Sequence, residues 1–240
     1  IIVPLITTPY VARVLGAIGV GTYSYTNSIT QYFILFGTLG LNLYAQREIA
    51  YNQENKEKYS KVFYEIFCLR VITLSLSIIC FYFMASLYTK YTLIFYIQII
   101  DIISSIFDIS WLFQGLEDFK KIVIRNFIVK IIGVLCIFVF IKSSDDLWLY
   151  VLCHSITILL GNLSMWYYLP KIVERINFKK LCIRRHLSAA IALFIPQIAT
   201  SLYTLLDKTM IGLLTGNESE VAYYEQSQKI VKIALTVATS

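Results

Sequence analysis

Ile122-Val-Ile-Arg-Asn-Phe-Ile-Val-Lys-Ile-Ile-Gly-Val-Leu-Cys-Ile-Phe-Val-Phe-Ile141 is a run of mostly apolar residues broken only by Arg125, Asn126, Lys130 and Gly133. A bilayer core needs about 20 such residues in a helix. The run is about twice the length of a barrel strand and its apolar residues do not alternate. Backbone polar groups in lipid must bond within their own segment, so an α-helix remains. The whole chain extends this reading. Of its 240 residues, 58% are hydrophobic and 15% charged, with mean hydropathy +0.68. Soluble domains carry about a quarter charged residues, so this chain has too little charge for a water-facing surface.

Similar runs lie on either side. A partial first helix ends near Val14, and a second covers about Tyr23–Ala45. Others follow at about Val62–Tyr88, Tyr91–Leu116, Ile122–Ile141, Leu147–Leu169 and Leu187–Leu214, and an eighth begins near Val221. The expected fold is an all-α, polytopic transmembrane bundle with seven or eight spans. The sequence begins and ends inside apolar stretches and reads as a segment of a longer protein. Five cysteines, Cys68, Cys80, Cys136, Cys153 and Cys182, are odd in number and form no CxxC pair. They predict neither a disulfide framework nor a metal site.

The net charge of +6 comes from the connections and does not indicate nucleic acid. Alternate connections are basic. One carries Arg47, Lys56, Lys58 and Lys61, the next Lys120, Lys121 and Arg125. The last carries Lys171, Arg175, Lys179, Lys180, Arg184 and Arg185. The others hold Arg13, Lys90 and Lys142 beside the acids Asp145, Asp146, Glu218 and Glu220. The positive-inside rule places the first group in the cytoplasm.

Pro4-Leu-Ile-Thr-Thr8 is echoed by Pro196-Gln-Ile-Ala-Thr200, and Val20-Gly-Thr-Tyr23 by Val221-Ala-Tyr-Tyr224. Six helices separate the copies. An even number preserves orientation, so the repeats would be parallel, as in transporters that rock two bundles. Residues 1–180 would form the first bundle and 181–240 the start of the second.

Charges inside apolar spans are costly unless paired or hydrated, and they mark candidate sites. Asp101 and Asp108, seven residues apart on the predicted fourth helix, would share a face with Gln98 and the serines at 104 and 105. They read either as a cation- or proton-coupling site or as structural partners of Arg70 and Lys130. Adjacent Asp207 and Lys208 point about 100° apart, so each should meet another helix or a ligand. Glu225 and Lys229 are spaced to pair. His154 reads as a helix-packing residue or a proton relay, and His186 as interfacial. Arg13, followed by Gly16, Gly19 and Gly21, is an interfacial anchor or a fork for phosphate.

Pro4-Leu-Ile-Thr-Thr-Pro-Tyr-Val-Ala-Arg-Val-Leu-Gly16 with Gly19-Val-Gly-Thr-Tyr23 resembles the opening of bacterial polysaccharide-unit flippases. So do Leu39-Gly-Leu-Asn-Leu-Tyr-Ala-Gln-Arg-Glu-Ile49, Phe194-Ile-Pro-Gln-Ile198, Leu206-Asp-Lys-Thr-Met-Ile-Gly212 and Tyr223-Tyr-Glu-Gln-Ser-Gln-Lys-Ile230. These flippases form one branch of the multidrug/oligosaccharidyl-lipid/polysaccharide exporter superfamily. The resemblance covers the chain but only about half the length such proteins need. It implies two six-helix bundles around a cationic cavity. It also implies an undecaprenyl-diphosphate-linked oligosaccharide flipped outward across the plasma membrane by alternating access. Arg13, Arg47 and Lys208 fall on its motifs and are its candidates for the substrate route. It implies no cofactor and no catalytic residue. Its partners would be lipid-linked oligosaccharide, membrane lipids and other polysaccharide-assembly proteins. A cation-coupled small-molecule exporter of the same superfamily and a membrane-embedded lipid-sugar transferase remain alternatives.

Overall fold

The computed structural model describes residues 2–176 and 181–239. Among the described residues there is no strand. The helices are α1 (Ile2–Thr38), α2 (Leu41–Tyr51), α3 (Lys56–Leu87), α4 (Thr92–Phe107), α5 (Ser110–Gly115), α6 (Phe119–Phe140), α7 (Leu147–Met165), α8 (Leu169–Ile172), α9 (Arg184–Thr215) and α10 (Glu218–Thr239). The chain is thus an all-α, polytopic helical membrane protein. Five helical stretches are long and apolar enough to cross a membrane: Lys56–Leu87, Thr89–Gly115, Phe119–Phe140, Ser144–Ile172 and Arg184–Thr215. α1 and α10 are long as well. α1 buries Thr22, Ser24, Thr26, Ser28 and Thr30, a polar face turned toward protein and away from lipid.

The first two predicted helices are the arms of α1. Gly16 interrupts it with φ 68° and ψ 178°, a conformation that glycine alone adopts without strain. Thr7 and Thr8 line one cavity with Tyr23 and Ser24. On a straight helix Thr7 and Ser24 would be about 25 Å apart, so the bend folds the arms toward each other. The second arm ends at Thr38, earlier than the predicted Ala45. Gly40, at φ 71°, starts α2 in a new direction.

The predicted fourth helix breaks at Asp108. This residue is extended, with φ −73° and ψ 104°, and its Oδ1 accepts from the Ser110 amide at 3.0 Å and from the Ser110 hydroxyl. A carboxylate that can satisfy free amides at a helix start competes with helix continuation. Asp101 and Asp108 therefore do not share one helical face.

The connections sort to two ends. One end gathers the Gly16 bend, Thr89–Tyr91, Ser144–Asp146 and the α9–α10 turn. There the Tyr10 hydroxyl donates to the Ile141 carbonyl at 2.7 Å, and Lys90 and Tyr91 both reach Glu218. The opposite end gathers the basic connections. There the Tyr59 hydroxyl donates to the Ile172 carbonyl at 2.8 Å, and Lys121 stacks over Phe113 and Tyr168. The predicted basic residues Lys179 and Lys180 lie outside the described residues.

Three apolar clusters hold the bundle. Phe63, Ile66, Trp111, Leu112 and Phe113 centre the one at the basic end. Leu74, Phe81, Phe95 and Ile102 join α3 to α4 and α1. Val11, Leu15, Val20, Ile141 and Ala222 close the far end. α9 and α10 pack along α1. At Gly21 the approach is so close that an added Cβ would lie 1.7 Å from the Glu218 carbonyl oxygen.

Candidate functional site

The polar residues of α1, α4 and α7 form a connected interior chain. Thr26 and Thr30 bond back to the Thr22 and Thr26 carbonyls at 2.9 and 3.0 Å. Gln98 bridges them, accepting from Thr30 at 2.9 Å and donating to Thr26 at 3.2 Å. One turn along α4 sits Asp101, only 7% exposed. Its carboxyl lies beside the Ser155 hydroxyl of α7, a weak contact that leaves Oδ1 and that hydroxyl without a well-formed hydrogen bond among the described residues. Buried polar atoms in this state are rare.

The next turn is more densely bonded, although Arg125 Nε has no partner among the described residues. Asn162 of α7 donates to the Ser104 carbonyl and hydroxyl, both at 2.9 Å. Its own oxygen accepts from Arg125 at 2.5 Å. Arg125 also reaches the Ser110 hydroxyl at 2.9 Å, which in turn bonds Asp108. Sequence reasoning counted Arg125 as a loop cation. Its place in this network has no signal in the sequence beyond its position three residues into an apolar run.

Arg70 of α3 is 1% exposed. Its Nε donates to the Ser105 carbonyl at 2.7 Å and its Nη1 to Asn42 Oδ1 of α2 at 2.5 Å. It lines a cavity of about 370 Å³ with Asn42, Ser105 and Asp108 on one side and Gln197, Ser201 and Thr204 of α9 on the other. Arg70 and Asp108 share this cavity without forming a direct ion pair. The proposed structural pairing of either aspartate with Lys130 is absent, because Lys130 is exposed on α6.

A second polar pocket, about 250 Å³, lies near the Gly16 end. It is lined by Thr7, Tyr23, Tyr150, His154, Gln226 and Lys229, among others. The Tyr23 hydroxyl and His154 Nδ1 are 3.4 Å apart. Between α9 and α10, Lys208 pairs with Glu225, and Lys229 reaches the same carboxylate at 3.4 Å. Tyr224 donates to Asp207. Asp207 and Lys208 thus meet different partners, as their 100° offset requires.

The motif cations do not converge. Arg13 is exposed next to the Gly16 bend, and Arg47 is exposed at the opposite end, 5.4 Å above the Tyr51 ring. The buried arginines are Arg70 and the half-buried Arg125.

Sequence reasoning missed Glu65, fully buried in α3. Its carboxylate accepts from the Cys182 amide at 2.7 Å, Arg185 at 2.5 Å and His186 Nε2 at 2.8 Å. His186 Nδ1 lies 2.8 Å from the Tyr44 hydroxyl. His186 is therefore a buried member of a clamp holding the start of α9. The visible signal was an acid at the edge of an apolar run.

Together these features define a multi-pass membrane protein with a polar interior and a cavity between its early helices and α9. The model of the polysaccharide biosynthesis protein family matches residues 1–240, and the chain belongs to that family. It is 23% identical over 223 residues to a protein of Escherichia coli (strain K12) named "Putative O-antigen transporter", covering 91% of this chain and 54% of that one. A Shigella dysenteriae protein of the same name is 27% identical over 234 residues, covering 95% and 58%. The chain spans about half the length of these relatives. No solved structure matches it.

Proposed function

We propose that the chain belongs to a transporter that flips a lipid-linked oligosaccharide from the cytoplasmic to the outer leaflet of a bacterial plasma membrane. In this reading the basic end is cytoplasmic. Residues 1–180 form one bundle and 181–240 begin a second, and rocking between them alternates access. The observation that carries it is the buried Arg70 beside a polar cavity where α9 meets α1–α4. The names of the relatives agree with it. A saccharide headgroup cannot cross hydrocarbon unaided, while its lipid tail can remain in the bilayer. Cationic donors offset diphosphate charge. Arg13, Arg47 and Lys208 are the further candidates along the route, with Lys208 exchanging Glu225 for substrate. The chemistry is transport and not catalysis. The test tracks which leaflet holds labelled lipid-linked saccharide in a strain lacking the gene. Outward transfer should stop, and normal transfer sinks the proposal.

A second reading, a cation-coupled small-molecule exporter, is favoured by the buried Asp101 carboxyl, which has only the Ser155 hydroxyl beside it. It is separated from the first by the cargo that accumulates when the gene is lost.

A further inference from the structure

At the basic end, α3 runs well past the membrane. Its 32 residues span about 48 Å against a hydrocarbon core of about 30 Å. Its first turns form one wall of a recess of about 500 Å³ whose other walls come from α2 and α9. Such a volume suits a small ligand or a headgroup. Lys58 and Lys61 of α3 and Arg185 of α9 face it, with Asn52 at the end of α2. Tyr44 and His186 form its buried floor.

Several of the other cations around this end have partners. Lys56 is near Glu174, Lys121 holds Asp118, Lys171 lies over Tyr167 and Arg47 over Tyr51. Lys58, Lys61, Lys120, Arg175 and Arg184 have no side-chain partner among the described residues, and of these only Lys58 and the half-buried Lys61 line the recess. Arg185 commits Nη2 to Glu65, which leaves the rest of its guanidinium edge available. Glu65 lies beneath the recess and is saturated by its three donors. Glu48 is the one carboxylate on the lining, so the recess keeps a net positive charge.

We propose that this recess binds a phosphate group carried at the membrane surface. Two ammonium groups and a guanidinium edge present separate donors to one concave space. A tetrahedral phosphate has acceptors enough for all of them, and charge-assisted bonds of this kind are the strong ones. Its height places it at the headgroup layer, where basic clusters meet anionic lipid. The chemistry fits a phospholipid headgroup or the diphosphate of a lipid-linked saccharide. The site stands on this geometry and goes beyond the transport reading.

The test uses the full-length protein in phosphatidylcholine nanodiscs. Inorganic diphosphate is titrated calorimetrically, and phosphatidylglycerol adducts are counted by native mass spectrometry in doped discs. The Lys58→Ala/Lys61→Ala variant is compared with Lys120→Ala/Lys171→Ala, which removes equal charge at the same end. We expect the first variant to bind at least one probe about tenfold or more weakly, and the second to bind as wild type. Loss of diphosphate binding points to the saccharide-lipid source, and loss confined to phosphatidylglycerol points to a phospholipid. A wild-type protein that binds neither probe overturns the proposal, as does equal loss in both variants. Neither readout requires flipping, so this proposal and the transport reading fail separately.

Discussion

Replacing Arg70 with methionine keeps most of the side chain's length and removes its charge and donors. Two interhelical hydrogen bonds disappear, to the Ser105 carbonyl and Asn42 Oδ1. In soluble proteins each bond to a charged donor contributes about 1.5–3 kcal/mol. Measured interhelical bonds in a membrane protein average about 0.6 kcal/mol and reach about 1.7. The membrane values apply here because the unfolded helices also find partners. Two bonds then set the loss at about 1–3 kcal/mol. Relief of arginine burial opposes this, but Asp108 would lose the cation that shares its cavity. The net expectation is destabilisation, read as a lower unfolding temperature in detergent. The free cysteines supply the signal through a thiol-reactive dye. A double-mutant cycle with Asn42→Ala isolates the Arg70–Asn42 bond and should give a coupling of about 0.6–1.7 kcal/mol. Arg70→Lys should recover part of the stability, since one ammonium replaces a fork that reached two acceptors. If Arg70→Met melts with wild type and the two single changes add within about 0.3 kcal/mol, the arginine does not hold α2, α3 and α4 together, and the cavity loses its organising residue.

Asp101→Asn should abolish transport while leaving the amount of folded protein unchanged; transport that survives removes Asp101 from coupling. Lys208→Glu and Glu225→Lys should each lower stability, and the combined swap should restore it. If Lys208 also serves the substrate, the swap restores folding without transport, so recovery of both reduces the pair to a structural one. Gly21→Ala drives a Cβ into the Glu218 backbone, whereas the same change at Gly133 meets only the Thr157 methyl at 3.8 Å. The first should cost about 1–3 kcal/mol and the second nothing measurable; equal melting temperatures contradict the α1–α10 packing. Glu65→Gln should loosen the start of α9 and speed trypsin cleavage at Arg184 and Arg185 by about tenfold, and an unchanged rate shows that the clamp does not restrain this segment.

What was legible in the sequence follows from length scales. Apolar runs of about 20 residues gave α6, α7 and α9 close to their observed limits, because lipid imposes the helix and its minimum length, whereas α3 starts at Lys56, well before the predicted Val62. Local exceptions were harder. Asp108 stands in an apolar run and reads as a buried charge on a helix, yet its side chain ends α4 by serving the amide of Ser110. Propensity points both ways for such a residue, and only the tertiary path of α5 selects the break. Arg125, Glu65 and His186 were illegible for another reason. Their partners lie 37, 120 and 142 residues away, and periodicity along one helix carries no information about its neighbours. Asp207 and Lys208 were partly legible, since helix geometry forbids one pair and demands two, but it names neither partner.

The internal echo bears on geometry more than on identity. Its first copy runs from Pro4 through the Gly16 bend into the second arm of α1. Its second runs from Pro196 through Gly216 into α10. Both turns rest on a glycine with positive φ, 68° at Gly16 and 61° at Gly216. In each, an arm carrying an internal proline, Pro9 or Pro196, precedes the turn. These glycines do not align in the sequence match, which is why the match looked short. Their conformations differ, with ψ 178° at Gly16 and 11° at Gly216, so the shared feature is a glycine at the reversal and not one turn geometry. On the proposed two-bundle reading, each copy reverses the chain at a glycine and then packs against different neighbours, which leaves the position of the reversal free to differ.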